Sequence, residues 1–164
     1  ALTIWTFLSF ALDALGISAQ TLVGTELGRG DRGLGRQLTT RLVWWSLGLG
    51  AVFAAGLAVC GAWLGPLFTA DIRVQDLLVP VLIVAALAQP VAGVVYVIDG
   101  ILIGAGDTVY LAWGHAAVLA AFAPLALLAS DLTWLWIAFA VGFMGSRAVM
   151  LLLRARTDRW MPAH

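Results

Sequence analysis

Leu2-Thr3-Ile4-Trp5-Thr6-Phe7-Leu8-Ser9-Phe10-Ala11-Leu12-Asp13-Ala14-Leu15-Gly16-Ile17-Ser18-Ala19-Gln20 is the stretch that decides the fold. It is apolar enough to sit in lipid, yet Thr6, Ser9, Asp13 and Gln20 fall at helical intervals and share one face of an α-helix. A carboxylate at the middle of a membrane helix costs about 2.5 kcal/mol or more on insertion scales, so it faces a protein interior or a watery cavity. The stripe therefore implies that ions or polar solutes are handled inside a membrane protein.

Composition agrees. Of 164 residues, 62% are hydrophobic and only 11% charged, and the mean hydropathy is +1.00. Soluble domains carry about 25% charged residues, so a soluble globule is excluded. The net charge is zero, which removes the electrostatic basis for a nucleic-acid partner. Cys60 is the single cysteine, so no intrachain disulfide can form, and its apolar surroundings read as a buried thiol. No Cys/His cluster has metal-ligand spacing, so no metal or other cofactor is expected.

Outward from the first segment, the chain divides into five spans of about 20 apolar residues or more. They cover about 1–25, 42–64 (ending before Gly65-Pro66), 77–103 (with Pro80 and Pro90), 108–129 (with Pro124) and 132–153. Residues 154–164 form a tail. The fold class is an all-α polytopic bundle with short connections and antiparallel neighbours. Arg29, Arg32, Arg36 and Arg41 lie in the first loop, and Arg147, Arg154, Arg156 and Arg159 at the end of the last span. Alternating spans place these eight on one side and Arg73 on the other. The positive-inside rule makes the basic side, and the C-terminus, cytoplasmic. Five spans then put Ala1 outside, which is awkward without a signal sequence. The expectation is a C-terminal fragment with at least one further helix upstream; a start codon directly before Ala1 would refute it.

Two related turns close the first and third spans on the basic side, Gly28-Arg29-Gly30-Asp31 and Gly104-Ala105-Gly106-Asp107. Glycine supplies a positive φ at a helix end, and Asp can cap the next helix. Neither turn carries the Lys of a phosphate-binding loop, and no nucleophile–base set is evident, so an enzyme is not expected.

Ala11-Leu12-Asp13-Ala14, Ala19-Gln20-Thr21-Leu22-Val23-Gly24 and Leu27-Gly28-Arg29-Gly30-Asp31 together resemble the multidrug and toxic compound extrusion (MATE) family. Asp99-Gly100-Ile101-Leu102-Ile103-Gly104-Ala105-Gly106-Asp107 resembles that family's second signature, in the form of its DNA-damage-inducible DinF-like branch. The resemblance covers nearly the whole chain and implies most of a C-terminal lobe, helices eight to twelve of a twelve-helix transporter. The N-terminal lobe of the same polypeptide would be a partner, as would membrane lipid. It further implies a multi-pass protein of the bacterial inner membrane exporting small amphipathic or cationic compounds. Inward H⁺ or Na⁺ would drive it through alternating access at a midplane site. Relatives coupled to Na⁺ carry a deeper acid on the third of these helices, where this chain reads Ala88-Gln89-Pro90-Val91; that departure favours H⁺. The rival readings are a lipid-precursor flippase of the wider superfamily and an inactive membrane scaffold. A flippase would show a more cationic cavity, and no Arg is expected at mid-membrane because Arg147 can snorkel to the cytoplasmic face.

The candidate coupling residues are Asp13 and Asp99. Asp13 reads as a protonatable or cation-pairing group, or as a carboxylate locked structurally to a neighbour. Asp99, five residues before Gly104, reads as part of an ion path or inner gate, or as an interface anchor for the loop. Thr6, Ser9, Gln20, Gln89, Tyr96 and His115 are the candidate cavity-lining residues. Thr6, Ser9 and Gln20 equally suit interhelical hydrogen bonds. Gln89 can bond a carbonyl freed by Pro90 or contact substrate. Tyr96, with Gly93 and Gly100, can form a smooth wall for a flat ligand, although Gly100 and Gly104 also make a small-residue packing pair. His115 can handle protons or simply pack. Trp44, Trp45, Trp63, Trp134, Trp136 and Trp160 read as interface anchors.

Overall fold

The computed structural model describes residues 1–68 and 70–161; residues 162–164 of the expected tail lie outside the described residues. Five long helices form. α1 is Leu2–Gly28, α2 Arg32–Phe68, α3 Ile72–Gly104 and α4 Thr108–Leu127. α5 is Leu132–Ala155 and contains a π-helical stretch, Ala138–Gly145. Each is long and apolar enough to cross a membrane.

The boundaries of α2 differ most from the expectation. α2 starts ten residues earlier than its apolar core, because the Asp31 carboxylate accepts a hydrogen bond from the Leu34 N–H at 2.8 Å and caps the helix start. It also runs through Pro66 to Phe68 instead of stopping before Gly65. Asp71 and Asp131 cap α3 and α5 in the same way, through Arg73 N–H at 2.9 Å and Trp134 N–H at 2.7 Å.

α3 is the hub. Two thirds of its apolar window (67%) is buried, against at most 22% for any other helix. It can be enclosed because small residues let neighbours approach backbone to backbone. On one side Gly16 lies against Tyr96 and Gly100, and Gly24 against Gly104, so α1 runs parallel to α3. On the other side Gly93 meets Ser46 and Gly50 meets Gln89 and Pro90, so α2 runs antiparallel. A Cβ on Gly16 would come within 2.7 Å of the Tyr96 carbonyl oxygen, and one on Gly24 within 2.8 Å of that of Gly104. The packing role read for Gly100 and Gly104 is thus what the fold uses, and it closes the wall that Gly93 and Gly100 were to offer a ligand.

α4 and α5 pair with each other and lean on α3 through long side chains. Trp5 of α1 packs edge-on against Trp136 and Phe139, with ring centroids 5.8 and 5.1 Å away, and Phe122 of α4 meets Phe143 at 5.4 Å. Trp136 and Trp160 are buried and are not interface anchors; each fills a gap that helix backbones leave open. Trp44, Trp45 and Trp63 are exposed, as is Cys60, which was expected to be buried. Exposed apolar side chains such as Phe7, Phe10, Leu87 and Trp113 give the bundle a greasy exterior suited to lipid or to another membrane segment.

Both glycine turns form, with positive φ at Gly30 (83°) and Gly106 (82°). Their aspartates diverge. Asp31 caps α2. Asp107 makes no capping bond and instead accepts two hydrogen bonds from Arg154, at 2.6 and 3.0 Å. The Arg154 guanidinium also lies 4.6 Å from the Tyr110 ring. The tail folds over this end: Arg36 pairs with Asp158, and Arg32 reaches the carbonyls of Asp158 and Met161 at 3.4 Å.

Candidate functional site

A cavity of about 210 Å³ opens between α1, α3, α4 and α5, lined by Asp13, Gln20, Tyr96, Asp99, His115 and Arg147 among others. Among the described residues, Asp13, Asp99, His115 and Arg147 all line this cavity. The helical register explains how. Gly16 and Gly100 hold α1 against α3, which sets Asp13 and Gln20 of one helix beside Tyr96 and Asp99 of the other. α4 brings His115, and the π-helical stretch of α5 ends just before Arg147.

Asp99 is the centre of the cluster. Its Oδ2 accepts a hydrogen bond from the Arg147 guanidinium, and both side chains are largely buried (12% and 14% exposed). His115 Nε2 lies 3.2 Å from Asp99 Oδ1, but the angles fall short of a full hydrogen bond. The Arg147 guanidinium carbon also sits 5.5 Å from the Phe143 ring centroid, a cation–π contact. Arg147 therefore does not snorkel to the cytoplasmic face. A buried carboxylate five residues before the end of α3 holds it inside, since the alternative is an unpaired charge on each side. For the same reason Asp99 is not a loop anchor; Asp107 and Arg154 do that work.

Asp13 is exposed to the cavity and makes no ion pair or side-chain hydrogen bond among the described residues. Gln20 is half-buried beside it, and Tyr96 is half-buried on the opposite wall. The structure thus brings together five residues singled out from sequence: Asp13, Gln20, Tyr96, Asp99 and His115. The other three lie elsewhere. Thr6 is exposed on α1 outside the cavity. The Ser9 hydroxyl is buried without a partner nearer the aromatic end. Gln89 is buried against α2, where Gly50 meets its carbonyl, and is not a cavity-lining residue; the close α2–α3 seam leaves no opening there.

The residue that sequence reasoning missed is Arg147. The signal was present: Arg147 is seven residues before Arg154, so both lie on one face of α5. Asp99 on α3 is eight residues before Asp107, which lies in the turn just beyond that helix. Two acids facing two arginines at matching intervals mark a pair of parallel helices joined twice.

A larger hollow of about 550 Å³ lies near the start of α1, lined by Trp5, Phe122, Trp136 and Phe139. None of its lining residues carries a charged side chain.

The MatE family matches residues 1–128. Protein DETOXIFICATION 44, chloroplastic, from Arabidopsis thaliana is 30% identical over 117 residues, which is 71% of this chain and 22% of that protein. The chain thus spans about a fifth of the length of that curated relative. No solved structure matches.

Proposed function

The chain belongs to the MatE family of multi-pass membrane proteins, and on that premise we propose that it forms part of a secondary active exporter of amphipathic or cationic xenobiotics. In this reading the chain supplies most of a C-terminal lobe of the DinF-like branch and works with an N-terminal lobe of the same polypeptide. It sits in a bacterial inner membrane with its C-terminus in the cytoplasm. Inward movement of H⁺, rather than Na⁺, drives export.

The observation that carries the proposal is the cavity itself. Asp13 and Asp99 face it from adjacent helices, and Asp13 offers a carboxylate with no partner among the described residues. A carboxylate held in that state inside a membrane bundle earns its place by meeting a cation or proton from outside. Two carboxylates and one guanidinium leave the cavity formally anionic when His115 is neutral. Arg147 therefore does not turn this into the cationic cavity of a lipid-precursor flippase, although an arginine does stand where none was expected.

The test is Asp13→Asn in the complete polypeptide, read as ethidium efflux from cells together with the amount of protein in the membrane. Loss of efflux at unchanged abundance supports the exporter with Asp13 as a coupling group. Unchanged efflux refutes that role.

A further inference from the structure

We infer that Arg147 is a tethered cation that competes with the mobile cation for Asp99, so that releasing the guanidinium from Asp99 is part of loading the site and restoring the pair is part of emptying it. This rests on the exporter reading above and adds which group resets the site.

Three observations carry it. First, the pair is incompletely satisfied. Arg147 Nε, Asp99 Oδ1 and His115 Nε2 are all buried without a full hydrogen-bond partner, and all three surround the one cavity. A pair kept purely to stabilise a fold uses up its donors and acceptors, because each unmet one costs stability. The Asp107–Arg154 pair, between the α3–α4 turn and α5, does so, with two bonds at 2.6 and 3.0 Å. Second, Arg147 has a place to go. Its guanidinium already lies against the Phe143 ring at 5.5 Å, a face that stabilises a cation released from its carboxylate. Third, Asp13 lines the same cavity with its carboxylate open. A cation that enters is attracted first by Asp13. It gains a second carboxylate only if Arg147 lets go of Asp99, and it loses that carboxylate when Arg147 returns.

Charge counting gives the test. With His115 neutral, Asp13, Asp99 and Arg147 sum to one negative charge, and removing Arg147 makes it two. Tetraphenylphosphonium serves as the probe because it is a lipophilic cation with no hydrogen-bond donor and reports charge alone. In the complete polypeptide, Arg147→Gln is expected to bind it at least five-fold more tightly and to export it at least ten-fold more slowly. The double variant Asp99→Asn/Arg147→Gln leaves no buried charge unpaired, and so serves should the single variant fail to fold. It restores one negative charge, so it is expected to bind as the wild type does and still to export at least ten-fold more slowly. Wild-type affinity in Arg147→Gln, or wild-type export in the double variant, overturns the inference and leaves the exporter reading intact. A wild-type protein that neither binds nor exports the probe overturns both.

Discussion

The two sides of α3 are built differently. Towards α1 and α2 the contact is backbone against backbone, made by Gly16, Gly24, Gly50, Gly93, Gly100 and Gly104. Towards α4 and α5 it is made by the ends of long side chains: Asp99 with Arg147 and, in the turn that follows α3, Asp107 with Arg154. The first kind of contact has no slack, since peptide groups cannot rearrange without moving a helix. The second kind can re-form with a different rotamer. The polar cavity lies where the two meet, with Asp13 on the stiff side and His115 and Arg147 on the adaptable one. A site that must hold its geometry and also change its occupant benefits from having one wall of each type.

Substitutions can break this contrast. The largest effect is expected from Gly100→Leu, which drives a side chain into the Gly16 backbone. The cost is about 3 kcal/mol or more, seen as loss of monodisperse protein on size-exclusion chromatography in detergent. Next comes Asp99→Asn, which strands the buried Arg147 guanidinium at about 3 kcal/mol. Adding Arg147→Gln should recover most of that, measured as apparent Tm in a double-mutant cycle. Arg154→Gln removes a half-buried bidentate pair and is expected to cost about 1.5 kcal/mol, again as a fall in Tm. Gly114→Ala tests the adaptable side. The added methyl meets only the flexible end of Met150, at 2.7 Å, so the expected cost is about 1 kcal/mol or less. A collapse as severe as that of Gly100→Leu would erase the distinction. The smallest stability effect, within about 0.5 kcal/mol, belongs to Asp13→Asn, because the side chain has no partner among the described residues. Its consequence should appear in efflux alone.

The helices were legible in the sequence because a span is a long apolar run, and the turns because glycine followed by aspartate has few other uses. The glycine seam at Gly100 and Gly104 was legible too, since small residues four apart on a membrane helix permit close approach. What the sequence hid was partnership. Asp99 and Arg147 are 48 residues apart on separate spans, and nothing local says that an arginine near a helix end turns inward. The alternatives of snorkelling and pairing differ only in what the neighbouring helix presents. The same holds for Trp136 and Trp160. Tryptophan near a span end reads as an interface anchor until a gap between helices claims it. Gln89 misled in the opposite direction, because a polar residue beside Pro90 suggested an opening where α2 in fact closes over α3.

The π-helical stretch Ala138–Gly145 has a mechanical consequence. Its wider turns set the angular phase of everything downstream in α5. Adding or removing one residue's worth of winding rotates the remainder of the helix by about 100°. Arg147 and Arg154 both lie beyond this stretch, whereas Trp136 lies before it. Rewinding the segment to α geometry would therefore swing both arginines away from Asp99 and Asp107 in one rotation while the aromatic end stayed seated. The two ion pairs thus depend on the winding of a single segment of α5.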